Sequence, residues 1–300
     1  MVYIEEYYTS IILRRHGGIL MYNPNEIKSF YNNYGEREWQ RLELTPYDRI
    51  NYYLHMDFLK DYIGEGKKVL DAGCGAGRFS IELAKLKNRV TLFDISTEQL
   101  RIAEDKLKEN NLMAYVDGII NGDLADLSMI EDNTFDTVIC YGAPLNYLLG
   151  NVEKAVRELV RVTKPGGQVL VRVNSKWGVI RTQLGREDFD YVSFFGKPNY
   201  WYIPEVVETG NLPKHELVSH PERHFFEAEE LEALLSACGL ENITLGGSPC
   251  ISSGFRKAVN DIEKDKIAWE TLLEIELKSY CKRTLADNGE FLLAKGIKVE

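Results

Sequence analysis

The sequence predicts an α/β fold whose parallel sheet is doubly wound by helices, and three features of the 300-residue chain predict it. Between Lys68 and Asn174, short apolar runs alternate with amphipathic stretches, the order produced when strands are joined by crossover helices. From Lys68 to Arg78 an apolar run enters a loop with glycine at alternate positions, Gly73, Gly75 and Gly77, and helical spacing resumes at Arg78. A Lys-Pro-Gly-Gly turn at 164–167 then separates a helical pattern from another apolar run, 168–174. A strand, glycine loop and helix in that order present unpaired backbone N–H groups at the mouth of a sheet.

Composition bounds the function. A hydrophobic content of 44% suffices for one large core with additions, so one compact catalytic unit is expected. A formal charge of −10 disfavours nucleic acid as a partner, because affinity for phosphates comes from Lys and Arg. The five cysteines are odd in number and lack Cys-x-x-Cys spacing, so they are expected to be reduced thiols without a zinc site. The five histidines show no metal-ligand spacing, and no metal is expected. No run of about eighteen apolar residues occurs, which points to a cytoplasmic protein without a membrane span.

Residues 1–20 carry no assignable pattern, and 25–63 are helical in spacing and rich in aromatics. Within that stretch, 31–42 mixes aromatics, charges and a glycine, a poor pattern for a core helix. The glycine loop does not fit a dinucleotide fingerprint, since Gly73 and Gly75 would need glycine at position 78, where Arg78 stands. Asp71 would also sit badly beside a pyrophosphate and well beside ammonium and sulfonium charges. The run 89–94 reads as a strand ending in Asp94, placed to accept from a ribose diol, while Ser96 caps the helix from Glu98 to Asn110. A weaker strand at 115–120 leads to Asp123 and Leu124, and Phe135–Tyr141 is apolar apart from Asp136 and Thr137 near its start, as a buried parallel strand should be. Substrate-facing groups belong in the loop that follows, where Asn146 and Tyr147 lie.

The string Asp71-x-Gly73-x-Gly75-x-Gly77 resembles motif I of the class I S-adenosylmethionine-dependent methyltransferases, and the order of elements through the Pro-Gly-Gly turn is similar to theirs. The resemblance implies a Rossmann-like seven-stranded sheet with the last strand antiparallel, and S-adenosyl-L-methionine as cofactor. Its implied cofactor residues are Asp71, Gly73, Cys74, Gly75, Gly77, Asp94, Ile95, Asp123, Leu124 and Tyr141, with Asp123 accepting from the adenine amino group. It also implies that Tyr34 and Trp39 belong to an amino-terminal helical lid. The loop 142–148 lacks the Pro-Pro pair typical of enzymes that methylate exocyclic base amines, which argues against that chemistry.

The irregular aromatic stretch 175–222 is where the resembling family inserts a substrate cap, and Trp201 is its candidate contact. A helix from Phe225, a strand at 242–245, a helical insert at 254–283 that buttresses the sheet edge or forms a dimer face, and a last strand at 291–297 complete the expectation. Four segments result: an amino-terminal extension and lid (1–66), a cofactor-binding core (67–174), a cap (175–224) and the remainder of the sheet (225–300). Methyl transfer from a sulfonium makes a general base optional, and His224 and Tyr147 are the candidates for one. The expected acceptor is a small-molecule or peptide-like nucleophile, an amine first. RNA or protein methylation is an alternative that a basic patch would favour, and a non-enzymatic cofactor binder is one that the lack of a second cavity would favour.

Overall fold

The computed structural model describes residues 20–41, 44–184, 202–214 and 220–299. Its sheet is built from β1 (Lys68–Ala72), β2 (Arg89–Asp94), β3 (Val116–Asn121), β4 (Phe135–Cys140), β5 (Thr163–Asn174), β8 (Leu240–Ser248) and β9 (Phe291–Lys298). They lie in the order β3-β2-β1-β4-β5-β9-β8, the first five parallel and β9 antiparallel to both β5 and β8. The chain therefore starts at the middle of the sheet and reverses direction between β3 and β4, which opens a crevice at the carboxyl ends of β1 and β4. A separate two-stranded ribbon joins β6 (Asn211–Leu212) to β7 (Arg223–His224).

Alternation along each strand divides two cores. Leu70, Val138, Val171 and Val173 face one side and pack with Val156 and Leu159 of α5 (Val152–Val162) and Leu231 and Leu235 of α8 (Ala228–Ala237). Val69, Ile139 and Leu170 face the other, with helices α2 (Pro46–Leu59), α3 (Arg78–Lys85) and α4 (Thr97–Glu109). Helix α1 (Pro24–Tyr34), started by Asn23 as N-cap and Pro24, precedes these. Its carboxyl end is fixed to α4: Asn32 Oδ1 accepts from the Ser96 hydroxyl and the Glu98 amide, and Gln99 donates to the carbonyls of Tyr31 and Gly35. Ser96 caps α4 as expected, accepting from the Gln99 amide.

Two expectations are refined. The Lys-Pro-Gly-Gly turn does not precede β5 but bulges from within it, since Phe135 pairs with Thr163 and Thr137 with Gln168, and Gly166 takes the positive φ of 73° that the bulge requires. The helical insert folds as α9 (Arg256–Ile262) and α10 (Lys266–Ser279), and it rests chiefly on α2 rather than on the sheet edge alone. Arg256 pairs with Asp48, Arg49 with Glu263, and the Tyr280 hydroxyl donates to Asp57, all across that helix interface. After β5 the chain forms α6 (Lys176–Leu184) and α7 (Tyr202–Thr209). No described helix is long and apolar enough to cross a membrane.

Candidate active site

The glycine loop after β1 is shaped by contacts that exclude side chains. Gly73 has φ 77°, and a Cβ there would come within 2.7 Å of Pro144. Gly75 has φ 52°, and its Cβ would press on Glu38 at 3.2 Å. The bare backbone forms the floor of a cleft of about 570 Å³ at the carboxyl ends of the strands. Asp94, at the end of β2, reaches across it: one carboxylate oxygen accepts from the Gly75 amide at 2.9 Å and the other from the Ser96 amide at 2.8 Å. Burial pushes the Asp94 carboxyl up to about 6, against the downward pull of those two amides. Asp123 lines the far end, where one oxygen accepts from both the Tyr22 hydroxyl and the Ala125 amide. Ile95 and Leu124 supply apolar walls between the two carboxylates.

Three carboxylates, Glu38, Asp94 and Asp123, line this cleft, and among the described residues no Lys, Arg or His does. Such a cleft repels a pyrophosphate and favours a cation. A smaller extension of about 340 Å³ runs beneath the loop, lined by Asp71, Cys74, Arg41 and Tyr141. Asp71 there accepts from the Ser80 hydroxyl at 2.6 Å, and burial raises its carboxyl to about 7.

Of the residues singled out from sequence, Gly73, Gly75, Asp94, Ile95, Asp123, Leu124 and Tyr147 line the main cleft, and Asp71, Cys74 and Tyr141 line its extension. Five others are placed differently. Gly77 lines neither space: a Cβ would meet Ala103 at 2.8 Å, so its bareness serves the approach of α3 to α4. Trp39 stacks beneath the Arg78 guanidinium, 4.0 Å from ring centroid to carbon, and its place over the glycine loop is taken by its neighbour Glu38. Tyr34 stands one layer back, stacked on Phe30. Asn146 is fully buried and holds two backbones together, donating to the His224 carbonyl and accepting from the Asn174 amide. His224 is fixed between Asn211 and Glu230, and it lines a second cavity of about 960 Å³ across the turn Pro144–Tyr147 from the cleft. Trp201 lies outside the described residues.

The residues missed in sequence are Tyr22, Ile27, Tyr31 and Glu38, all from the amino-terminal segment and all lining the cleft. Ile27 and Tyr31 are four residues apart on α1, so the helical spacing that marked the segment also held the identity of its inward face.

A sequence profile of the family described as methyltransferase domain matches residues 69–167, which span the strands and loops that build the cleft floor. The ubiquinone/menaquinone biosynthesis C-methyltransferase UbiE of Idiomarina loihiensis is 28% identical over 205 residues, covering 65% of this chain and 76% of that protein. The chain carries a methyltransferase domain and is an S-adenosylmethionine-dependent methyltransferase. Two solved structures share the fold of this methyltransferase. One is a Thermotoga maritima S-adenosylmethionine-dependent methyltransferase, described as a possible histamine N-methyltransferase, with TM-score 0.56, 18% identity and coverage of 91% of this chain and 99% of that one. The other is the [4+2]-cyclase SpnF, with TM-score 0.57, 19% identity and coverage of 94% and 99%. At such identities the likeness is one of fold, and the two descriptions differ in chemistry.

The site of the methyltransferase suits its cofactor. The glycine cradle admits a ligand against bare backbone, the three carboxylates complement a sulfonium, and Asp94 keeps lone pairs for a diol besides the two it gives to amides.

Proposed function

We propose that this methyltransferase alkylates an amine of a small-molecule or peptide-like acceptor, which approaches beneath the aromatic cluster at the mouth of the cleft. That cluster is the observation supporting the reading. Tyr31 and Tyr147 both line the cleft, with ring centroids 5.9 Å apart and planes at 87°, and Phe30, Tyr34 and His220 pack behind Tyr31. Burial, with Arg223 nearby, holds the His220 imidazole down to about 4, so the cluster adds no competing positive charge. When bound, S-adenosylmethionine supplies a methyl group on a positively charged sulfur. Transfer to an amine moves that charge to nitrogen, and aromatic faces stabilise a cation at close range by about 0.5–2 kcal/mol. Glu38, over the glycine loop, adds negative charge on the same side.

In this reading the acceptor enters as the free amine, and the protein contributes position and exclusion of water more than proton transfer. Tyr147 is the candidate base that reaches the cleft, whereas His224 is held away from it by Asn211 and Glu230. Residues 1–66 supply the cover, 67–174 the cofactor core, 175–224 the acceptor cap and 225–300 the rest of the sheet. The test is incubation with S-adenosylmethionine and parallel panels of primary amines, alcohols and carbon acids, followed by mass spectrometry. Gain of one methyl in the amine panel, reduced at least tenfold by Tyr31→Ala, is the expected result. Methylation confined to oxygen or carbon acceptors would sink the amine reading.

A further inference from the structure

We propose that Arg172, beside Tyr141, forms an anion-binding subsite that takes a carboxylate or phosphate carried by the methyl acceptor. The proposal rests on the reading of this protein as an enzyme for small acceptors, and it adds a charged group to that acceptor. Arg172 lies near the carboxyl end of β5, where ligands of such sheets sit. Cys140 of β4 pairs with Val171, so the next residues, Tyr141 and Arg172, stand side by side on the same face. Parallel strands are about 4.8 Å apart, which brings both side chains within reach of one small group.

The guanidinium is buried, with only 3% of Arg172 exposed, yet among the described residues its Nε has no hydrogen-bond partner. The Phe291 ring lies 3.4 Å from the guanidinium carbon, which covers a face and leaves the Nε edge open to an acceptor. The Tyr141 hydroxyl is likewise buried without a partner among the described residues. Two orphaned donors at adjacent positions are costly unless something accepts from them, because each loses its water on folding.

The surrounding charges narrow what that acceptor is. Burial and the nearby Arg41 pull Arg172 down to about 9, which leaves it cationic at neutral pH. Glu290, half-buried on the segment leading into β9, offsets part of the charge, but its carboxylate accepts from the Tyr47 hydroxyl at 3.4 Å. Arg41 is itself engaged by Glu38. His55, whose ring centroid is 5.1 Å from that of Tyr141, is kept neutral by burial and by Arg172, and donates from Nδ1 to the Asn51 carbonyl. A buried Arg172 and a half-buried Arg41, with one carboxylate committed to Arg41, call for a further anion. Tyr141 lines the extension beneath the glycine loop, so such a group would be held a short distance from the cleft floor.

The cofactor carries a carboxylate too, and the experiment separates the two sources. Protein saturated with S-adenosylhomocysteine is titrated with acetate and with inorganic phosphate, following the NMR signal of Arg172 Nε and the heat of binding. A saturable shift in that complex, lost at least tenfold in Arg172→Met and partly kept in Arg172→Lys, with S-adenosylhomocysteine affinity within twofold of the parent, is expected. An Arg172 signal already moved by S-adenosylhomocysteine and blind to both anions would overturn the proposal and assign the guanidinium to the cofactor. A signal that responds to neither ligand would make Arg172 a structural residue and overturn it as well. If Arg172→Met does not fold, the titration of the parent protein decides alone. Anion binding without any amine methylation would reject the amine reading and leave this subsite standing.

Discussion

Asp94 carries two loads at one carboxylate: it pins the glycine loop through the Gly75 amide and faces the cleft as an acceptor. Its folded pKa is raised to about 6, so between about pH 4 and 6 the native state holds a proton the unfolded chain has released, and stability falls as pH rises through that window. Cofactor binding runs the other way. A ribose diol donates to the charged carboxylate, so affinity should be constant above about pH 6 and drop as pH falls below it, a profile that calorimetry at several pH values would follow. Asp94→Ala should weaken S-adenosylhomocysteine binding by about 1.5–3 kcal/mol, the range for a hydrogen bond to a charged group. Unchanged affinity in a folded variant would remove Asp94 from the site. Gly73→Ala should be worse, because a non-glycine residue at positive φ costs about 1–2 kcal/mol before its Cβ meets Pro144 at 2.7 Å. Loss of cofactor binding together with a lowered melting temperature is the expected reading. These positions were legible from sequence because a glycine at positive φ and an acid at a strand end are local requirements. Arg172 was not, since its lack of a partner depends on what other strands and helices leave beside it.

Between elements, legibility followed the range of the contacts. The strands β1 to β5 and the helices between them appear close to where periodicity put them, because burial on both faces of a parallel strand leaves a continuous apolar run. The insert after β8 was visible as helical, but its seat on α2 was not, for that depends on pairs such as Arg256 with Asp48, about two hundred residues apart. One residue anchors it. Glu276 of α10 is fully buried, and its carboxylate accepts from the amides of Cys250, Ile251 and Ser252 and from the Ser252 hydroxyl, at 2.6–3.3 Å. No backbone partner is needed for that loop while the carboxylate is present. Glu276→Gln turns one oxygen into a donor facing other donors, and should cost about 2–3 kcal/mol of stability, read as a lower urea midpoint. Cofactor affinity of the folded variant should stay within twofold, since Glu276 lines neither the cleft nor its extension. A midpoint unchanged by the substitution would show that the loop is held by other contacts.

At the scale of the molecule, the described part of the segment before the sheet lines the cleft, and the prediction is that it acts as a wall of the cofactor site rather than as a detachable cover. The family resemblance implied an amino-terminal helical lid holding Tyr34 and Trp39, and loss of a cover that only closes would reduce turnover more than cofactor affinity. In the folded chain Tyr22, Ile27, Tyr31 and Glu38 line the cleft that Gly73, Asp94 and Asp123 form, and Tyr22 bonds directly to Asp123. Helix α1 is also tied down on both flanks, by Asn32 and Gln99 to α4 and by Glu26 to Lys214 of the post-β5 segment. On this prediction its apolar face covers the cofactor, and burying a side chain of that size is worth about 1.5–3 kcal/mol. Ile27→Ala with Tyr31→Ala should then raise the dissociation constant for S-adenosylhomocysteine at least tenfold, as well as slowing turnover. The ties from α1 to α4 run through Asn32 and the Tyr31 and Gly35 carbonyls, which the two substitutions leave in place, so circular dichroism should show the helix retained. Calorimetry on the double variant decides between the two arrangements: full cofactor affinity with reduced turnover would restore the detachable lid, and a parallel loss of both would establish the segment as part of the binding site.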